Sequence, residues 1–532
     1  MRFAALLLII MCTLAMSGSV QAQPTLLNPV LSGPLQANGD VVGEPVISPN
    51  GLRVVFLADA TTDNTIGLYS ALTDGSAPPL LLSGSQSLGL DADFDISADN
   101  QWVVYLAPQE APNRFELYRV PIIGGAPPTK LNSQLPTDGD VASFAISPDG
   151  SRVIYSADQD SNDVVELYSV PLELGIPNTR LNDDLVTGGD VNTFQISPDS
   201  SRVIYSADQD NNDVVELYSV PLAGGSSPTK LNGTLVSAGD IDNFQISPNS
   251  STVVYRADQE TDARLELYHV PLTGGMANKL NATLVAGGNV ASYRMSPDSS
   301  RVVYAADQNT DEQVELYAVA LTSGTPTKIN GLLPTGGDVF EFRISPNSNT
   351  VVYSADQQTD NVIEIFSVSI AGGTSVRLNR PLATGRFVAG AQISPDNSRV
   401  VYYGDQDTAG EFELYSVPLG GGDSTRLNAP FADTGSVETD FQITANSRQV
   451  IYRADQAITG IFEVFSVPLA GGVPTKLNGA LVTDGSVDFF AVAPTNNRVV
   501  YIADQRTNEQ FELFAAFEQK TEQQVFVPLA LK

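Results

Sequence analysis

Two short stretches place oxygen-bearing side chains at alternate positions, as cation loops do. "DQDSND" brings Asp158, Asp160, Asn162 and Asp163 together, and "DQDNND" repeats the pattern with Asp208, Asp210, Asn212 and Asp213. Alternating Asp and Asn match the first half of a calcium loop, so calcium is the cofactor to weigh. The second half of each stretch departs from such a loop. Asp163 stands where the sharp turn wants glycine, and Glu166 arrives earlier than a closing bidentate ligand should. The better expectation is a solvated hairpin with no bound cofactor.

The same acids recur where no calcium loop could form. The leading aspartate returns as Asp59, Asp158, Asp208, Asp258, Asp307, Asp356, Asp405, Asp455 and Asp504. A glutamate a few residues later returns as Glu116, Glu166, Glu216, Glu266, Glu315, Glu364, Glu413, Glu463 and Glu512. An enzyme needs one active site, so repetition favours structural work. The aspartate is expected to accept backbone N–H groups in a hairpin, and the glutamate to pair across it.

The surrounding phrase is also periodic. Copies begin at Ile47, Ile96, Ile146, Ile196, Ile246, Met295, Ile344, Ile393, Ile443 and Val492, spaced by 49 or 50 residues. A fixed period in this range marks a propeller, solenoid or array. Within a copy, "SRVIYSA" from Ser151, "VVELYSVPL" from Val164 and "NTRLN" from Asn178 are rich in β-formers, as is "DVNTFQIS" from Asp190. "SPDG" from Ser147 suits a type I turn. No stretch holds a helical period. Four antiparallel strands per copy make one propeller blade, so the chain is read as all-β with ten four-stranded blades. One closed ring is expected, with two five-bladed rings as the alternative topology. Phe144, Tyr155 and Tyr168 recur as Phe194, Tyr205 and Tyr218, which suits packing between blades.

Topology directs the acids. The hairpins between second and third strands share one face with the connections carrying Asp140, Asp190, Asp240 and Asp338. That face should be negative, and the face built from "SPDG" and "AGG" turns nearly neutral. Basic residues such as Lys130, Arg180 and Lys230 fall on the fourth strand, where charge keeps an outer edge from pairing with other chains.

Residues 1–22 read as a secretory signal peptide, 23–520 as the propeller, and 521–532 as a tail or closing strand. Two segments compete to complete the last blade: "PTLLN", Pro24 to Asn28, which matches the fourth-strand phrase "PTKLN", and "VFVPLAL", Val525 to Leu531. The only cysteine, Cys12, lies in the leader, so the mature chain has no thiol chemistry. The net charge of −33 disfavours nucleic acid and anionic lipid as partners, and no later segment is apolar enough to span a membrane. A monomer in the periplasm or outside the cell, with a protein or glycan partner, is expected.

"SPDGSRVIYSAD" followed by "ELYSVPL", a Gly-Gly turn and "TKLN" resembles the TolB-like, WD-repeat-like β-propeller repeat, across all ten copies. Two features depart from that pattern, the long loop between second and third strands and the number of copies. The resemblance implies periplasmic scaffolds, gating domains of peptidases, or sugar-acid lyases. The peptidase reading needs a Ser-His-Asp domain, for which no Gly-x-Ser-x-Gly elbow is present. The lyase reading needs several metal-binding histidines, and the chain has one, His269, at a strand position that also accepts Ser, Arg and Ala. The expectation is therefore a non-catalytic binding or structural scaffold. The alternative is a carbohydrate-active lyase or glycosidase with a carboxylate site in the central channel.

Overall fold

The computed structural model describes residues 26–518 apart from 28–29, 37, 63, 85–86, 90–91, 174 and 323. The expected leader, the C-terminal tail and "VFVPLAL" lie outside the described residues. Ten separate four-stranded antiparallel sheets follow one another along the chain, and no helix occurs among the described residues.

Blade 3 is representative. Its strands are Val141–Ile146, Arg152–Ala157, Glu166–Pro171 and Thr179–Arg180, paired in chain order from the channel outward. The second strand is almost wholly buried because both its faces meet a neighbouring blade, which is why it reads as an unbroken "VIY" run. Tyr155 and Tyr168 lie opposite each other, and their rings stack with centroids 5.3 Å apart. The same stacked pair occurs in every blade, from Phe56–Tyr69 in blade 1 to Tyr501–Phe514 in blade 10. Each adds roughly 0.5–1.5 kcal/mol beyond its buried area.

The core is distributed between blades rather than gathered at one centre. Val104, Leu106 and Leu117 of blade 2 pack on Val153, Tyr155 and Tyr168 of blade 3, and this cluster repeats around the ring. One such cluster joins the two ends of the chain, with Val54 and Phe56 against Val500, Ile502 and Leu513. The ring is therefore single and closed, with ten blades.

Leu26–Leu27 pairs antiparallel with the third strand of blade 10, through Leu26↔Glu518 and Leu27↔Phe517. The segment before blade 1 thus supplies the outer strand of the last sheet, the place expected for "PTLLN". Val30 bridges Phe514, and Leu31, which is buried, donates its N–H to the Leu513 carbonyl at 2.6 Å. On the other side of the seam, Thr495 Oγ1 and Asn496 Nδ2 donate to the carbonyls of Asn50 and Gly51. Gly51 has φ +69°, and a Cβ there would approach Thr495 Oγ1 to 2.8 Å, so this turn position tolerates no side chain at the seam.

Candidate functional site

The recurring aspartate is a tie between blades. In blade 4, Asp208 accepts the backbone N–H of Asp190 on one oxygen at 2.6 Å, and that of Asp213 on the other at 3.3 Å. Asp190 in turn accepts the N–H of Val165, in blade 3, at 2.7 Å. The relay repeats as Asp158, Asp140 and Phe115, and as Asp258, Asp240 and Val215. The neighbouring glutamine adds a second tie: Gln259 accepts the N–H of Gly233 from the preceding blade at 3.0 Å and the Tyr255 hydroxyl at 2.9 Å. Hairpin capping by the aspartate is as expected; its reach into the adjacent blade was hidden, because sequence spacing does not reveal which carbonyls and amides meet across an interface.

The glutamate departs from expectation in part. It opens the third strand, as Glu166 does opposite Ala157, and the expected hairpin partner is found in blade 10, where Glu512 accepts from Arg506 Nε at 2.7 Å, and in blade 6, where Glu315 accepts from Asn309 at 3.1 Å, but Glu166 has none. Its buried carboxylate instead turns to the fourth strand and to its own tyrosine. Glu166 accepts from Arg180 at 2.7 Å and from the Tyr168 hydroxyl at 2.9 Å. Glu315 and Lys328 do the same with Tyr317. The fourth-strand cations therefore neutralise a buried acid as well as charging the edge. Burial alone would raise the Glu315 pKa, but hydrogen bonds from Lys328 and Tyr317 outweigh it and hold the carboxyl below its ordinary value.

The eight candidate calcium ligands separate into different environments. Asp158 and Asp208 turn inward to backbone N–H groups. Asp160 and Asp210 are exposed, and Asp210 pairs with Lys230 at 2.7 Å. Asn162 donates to Asp163, and Asn212 to Asp213, at 2.7 Å each, on the outside of the hairpin. His269 sits half-buried on a third strand, where burial lowers its pKa.

The part of the molecule that does not repeat is the channel wall. On most first strands a buried or half-buried aromatic, such as Phe244, Tyr293 or Phe342, points into the blade, and Pro45 and Ala391 take its place in blades 1 and 8, so the residues on either side of it face the channel. The residues before it form one level: Glu44, Asp93, Ser143, Thr193, Asn243, Ser292, Glu341, Gly390, Asp440 and Phe489. It carries acids and no cation, and lies toward the hairpin face. The residues after it form a second level near the turn face: Val46, Asp95, Ala145, Gln195, Gln245, Arg294, Arg343, Gln392, Gln442 and Ala491. Several glutamines there tie blades, as Gln195 Nε2 donates to the Phe244 carbonyl at 2.9 Å and Gln392 Nε2 to that of Phe441 at 2.8 Å. Enclosure by the wall, added to the charge of Asp93, pushes the Asp95 carboxyl up although the side chain reaches channel solvent.

Among the described residues, two sizeable cavities open on this wall. One of about 740 Å³ lies at blades 8–10 and 1, lined by Glu44, Asp440, Asp488, Phe489 and Phe511. The other, of about 460 Å³, lies at blades 5–8 near the turn face and is lined by Gln245, Arg294, Arg343 and Gln392. These residues escaped the sequence reading because a search for recurrence passes over positions whose residue type changes from copy to copy.

A solved structure of a putative TolB from Agrobacterium tumefaciens is similar over 44% of this chain and 79% of its own, at 19% identity and a TM-score of 0.29. Porphyromonas gingivalis dipeptidyl peptidase 4 is similar over 77% of this chain and 64% of its own, at 11% identity and a TM-score of 0.46. An oligogalacturonate lyase solved with manganese is similar over 75% of this chain and 98% of its own, at 12% identity and a TM-score of 0.35. No protein-family model and no curated protein matches the sequence. The ten-bladed ring of four-stranded sheets is a β-propeller. No helix among the described residues is long and apolar enough to cross a membrane.

Proposed function

We propose that this protein is an exported, non-catalytic propeller that acts as a binding scaffold at the cell envelope or outside the cell. The observation that carries this reading is the division of labour between repeated and unrepeated residues. The repeated acids are engaged in ties between and within blades, whereas the first-strand residues that differ from blade to blade face the channel. A surface that is individual at each position, held on a rigid ring, suits recognition of one partner. Export is proposed from the apolar leader-like stretch Ala4 to Met16 and the small residues before Gln23. The test is capture from native envelope and culture medium on immobilised protein, repeated with a variant whose channel wall is altered at Glu44, Glu341 and Asp440. A partner retained by the wild type and lost by the variant supports the reading; equal retention by both contradicts a channel site.

A second reading draws on the carboxylates Glu44, Asp440 and Asp488 lining the larger cavity, two or more of which could serve a glycosidase or lyase. Hydrolysis or eliminative cleavage in a polysaccharide panel, abolished by Asp440→Asn, would favour it.

A further inference from the structure

In a chain of net charge −33, two arginines on neighbouring blades face the same cavity of the channel. Arg294 and Arg343 occupy equivalent first-strand positions in blades 6 and 7, and both are exposed. Neither guanidinium has an ion pair or hydrogen bond among the described residues. Arginines elsewhere near the channel are satisfied: Arg256 pairs with Asp242 at 2.6 Å, and Arg453 with Asp440 at 2.8 Å. Glu341, two residues before Arg343 on the same strand, is the nearest acid along that wall, yet it forms no ion pair with Arg343.

We infer that this cavity binds a small dicarboxylate, with one carboxylate held by Arg294 and the other by Arg343. Each guanidinium offers a planar fork of donors that matches a carboxylate edge-on. The amides beside them are neutral and each spends one of its two N–H donors within the wall, Gln245 Nε2 on the Tyr293 carbonyl and Gln392 Nε2 on that of Phe441. The arginines are thus the main donors of the cavity. Met295 and Ile344, each next to one of the arginines, line the same cavity and offer apolar contact to the carbon skeleton linking the two anionic ends. That wall favours an organic dianion over inorganic phosphate, which has no apolar part. The acidic level nearer the hairpin face repels an anion entering from that side, so access is from the turn face.

This inference rests on the channel wall being the binding surface. It fails separately from that proposal, since a macromolecular partner could use the wall without any small anion. The experiment is isothermal titration of the full protein with succinate, glutarate, acetate and inorganic phosphate at constant ionic strength. The same titrations are run on R294Q/R343Q and on R448Q, whose arginine is exposed in a turn outside the cavity. One dicarboxylate should bind with unit stoichiometry and more tightly than acetate or phosphate. Its affinity should fall by about ten- to a hundredfold in R294Q/R343Q and stay unchanged in R448Q. No heat of binding for either dicarboxylate with the wild type overturns the inference. So does unaltered binding by R294Q/R343Q, or phosphate binding as tightly as the dicarboxylates.

Discussion

Asp208 in blade 4 accepts the backbone N–H of Asp190 at 2.6 Å, and Asp190 accepts the backbone N–H of Val165 in blade 3 at 2.7 Å. Two carboxylates in series thus join the hairpin of one blade to the start of the third strand in the blade before it. A buried backbone N–H left without an acceptor loses about 1–3 kcal/mol, so each relay is a substantial part of an interface that otherwise depends on apolar packing.

Replacement of the inward acid should therefore be far more harmful than replacement of its exposed neighbour. Asp208→Ala should destabilise by about 1–3 kcal/mol. Asp210→Ala, which removes an exposed pair with Lys230, should change stability by about 0–1 kcal/mol. Asp208→Asn, which keeps an oxygen acceptor, should lie between them. Chemical denaturation of the three variants checks this order.

Closure of the ring predicts a cost at its seam. Leu31→Ala removes a buried side chain at the junction of blades 1 and 10, and should destabilise by about 2–5 kcal/mol. Deletion of residues 23–29 should lower the melting temperature by several degrees through loss of the outer strand of blade 10, on the order of 1–3 kcal/mol. An unchanged melting curve after that deletion would contradict closure by this segment.

The acidic hairpins should respond to ionic strength rather than to one cation. Melting in chelator, in millimolar calcium and in sodium chloride of matched ionic strength should give the same result for calcium and sodium. A site that binds only the folded state would add about 2.7 kcal/mol at a hundredfold excess over its dissociation constant. A calcium-specific rise that disappears in Asp158→Ala/Asp208→Ala would make these loops a metal site.

The pH dependence has two opposite signs. The Glu315 carboxyl is held low in the folded state, burial raising it less than Lys328 and Tyr317 lower it, so its contribution is present above the unfolded carboxylate pKa. It is lost as pH falls through the lower, folded value. Asp95 is raised, chiefly by enclosure, so its ionised form opposes folding at neutral pH and that penalty vanishes in acid. Glu315→Gln should therefore destabilise at pH 7 and converge on the wild type at low pH. Asp95→Asn should stabilise at pH 7 and likewise converge.

The fold was legible because the sequence repeats it. Strand positions around Tyr155 and Tyr168 followed from β-forming runs and turn residues, and the match of "PTLLN" to "PTKLN" anticipated the strand that closes blade 10. The pairing of Glu166 with Arg180 was not legible. The fourth strand is only two residues long, Thr179–Arg180, and its register against the third strand decides which cation meets the buried acid. The relay through Asp190 is partly legible: its recurrence is visible, but along the chain it reads as surface charge because nothing there marks Val165 as its donor. Arg294 and Arg343 were invisible to a search for recurrence, since each is a departure from the repeat.

The central claim, that the recurring acids lock blades together rather than serve chemistry, is tested most directly by hydrogen exchange at single amides. In the wild type the amides of Val165 and Asp190 should exchange slowly. In Asp208→Ala the amide of Asp190 should exchange faster by about tenfold or more, the equivalent of roughly 1.4 kcal/mol, while Asp210→Ala leaves it unchanged. Exchange at Asp190 that is fast in the wild type, or equally slow in Asp208→Ala, would contradict the account.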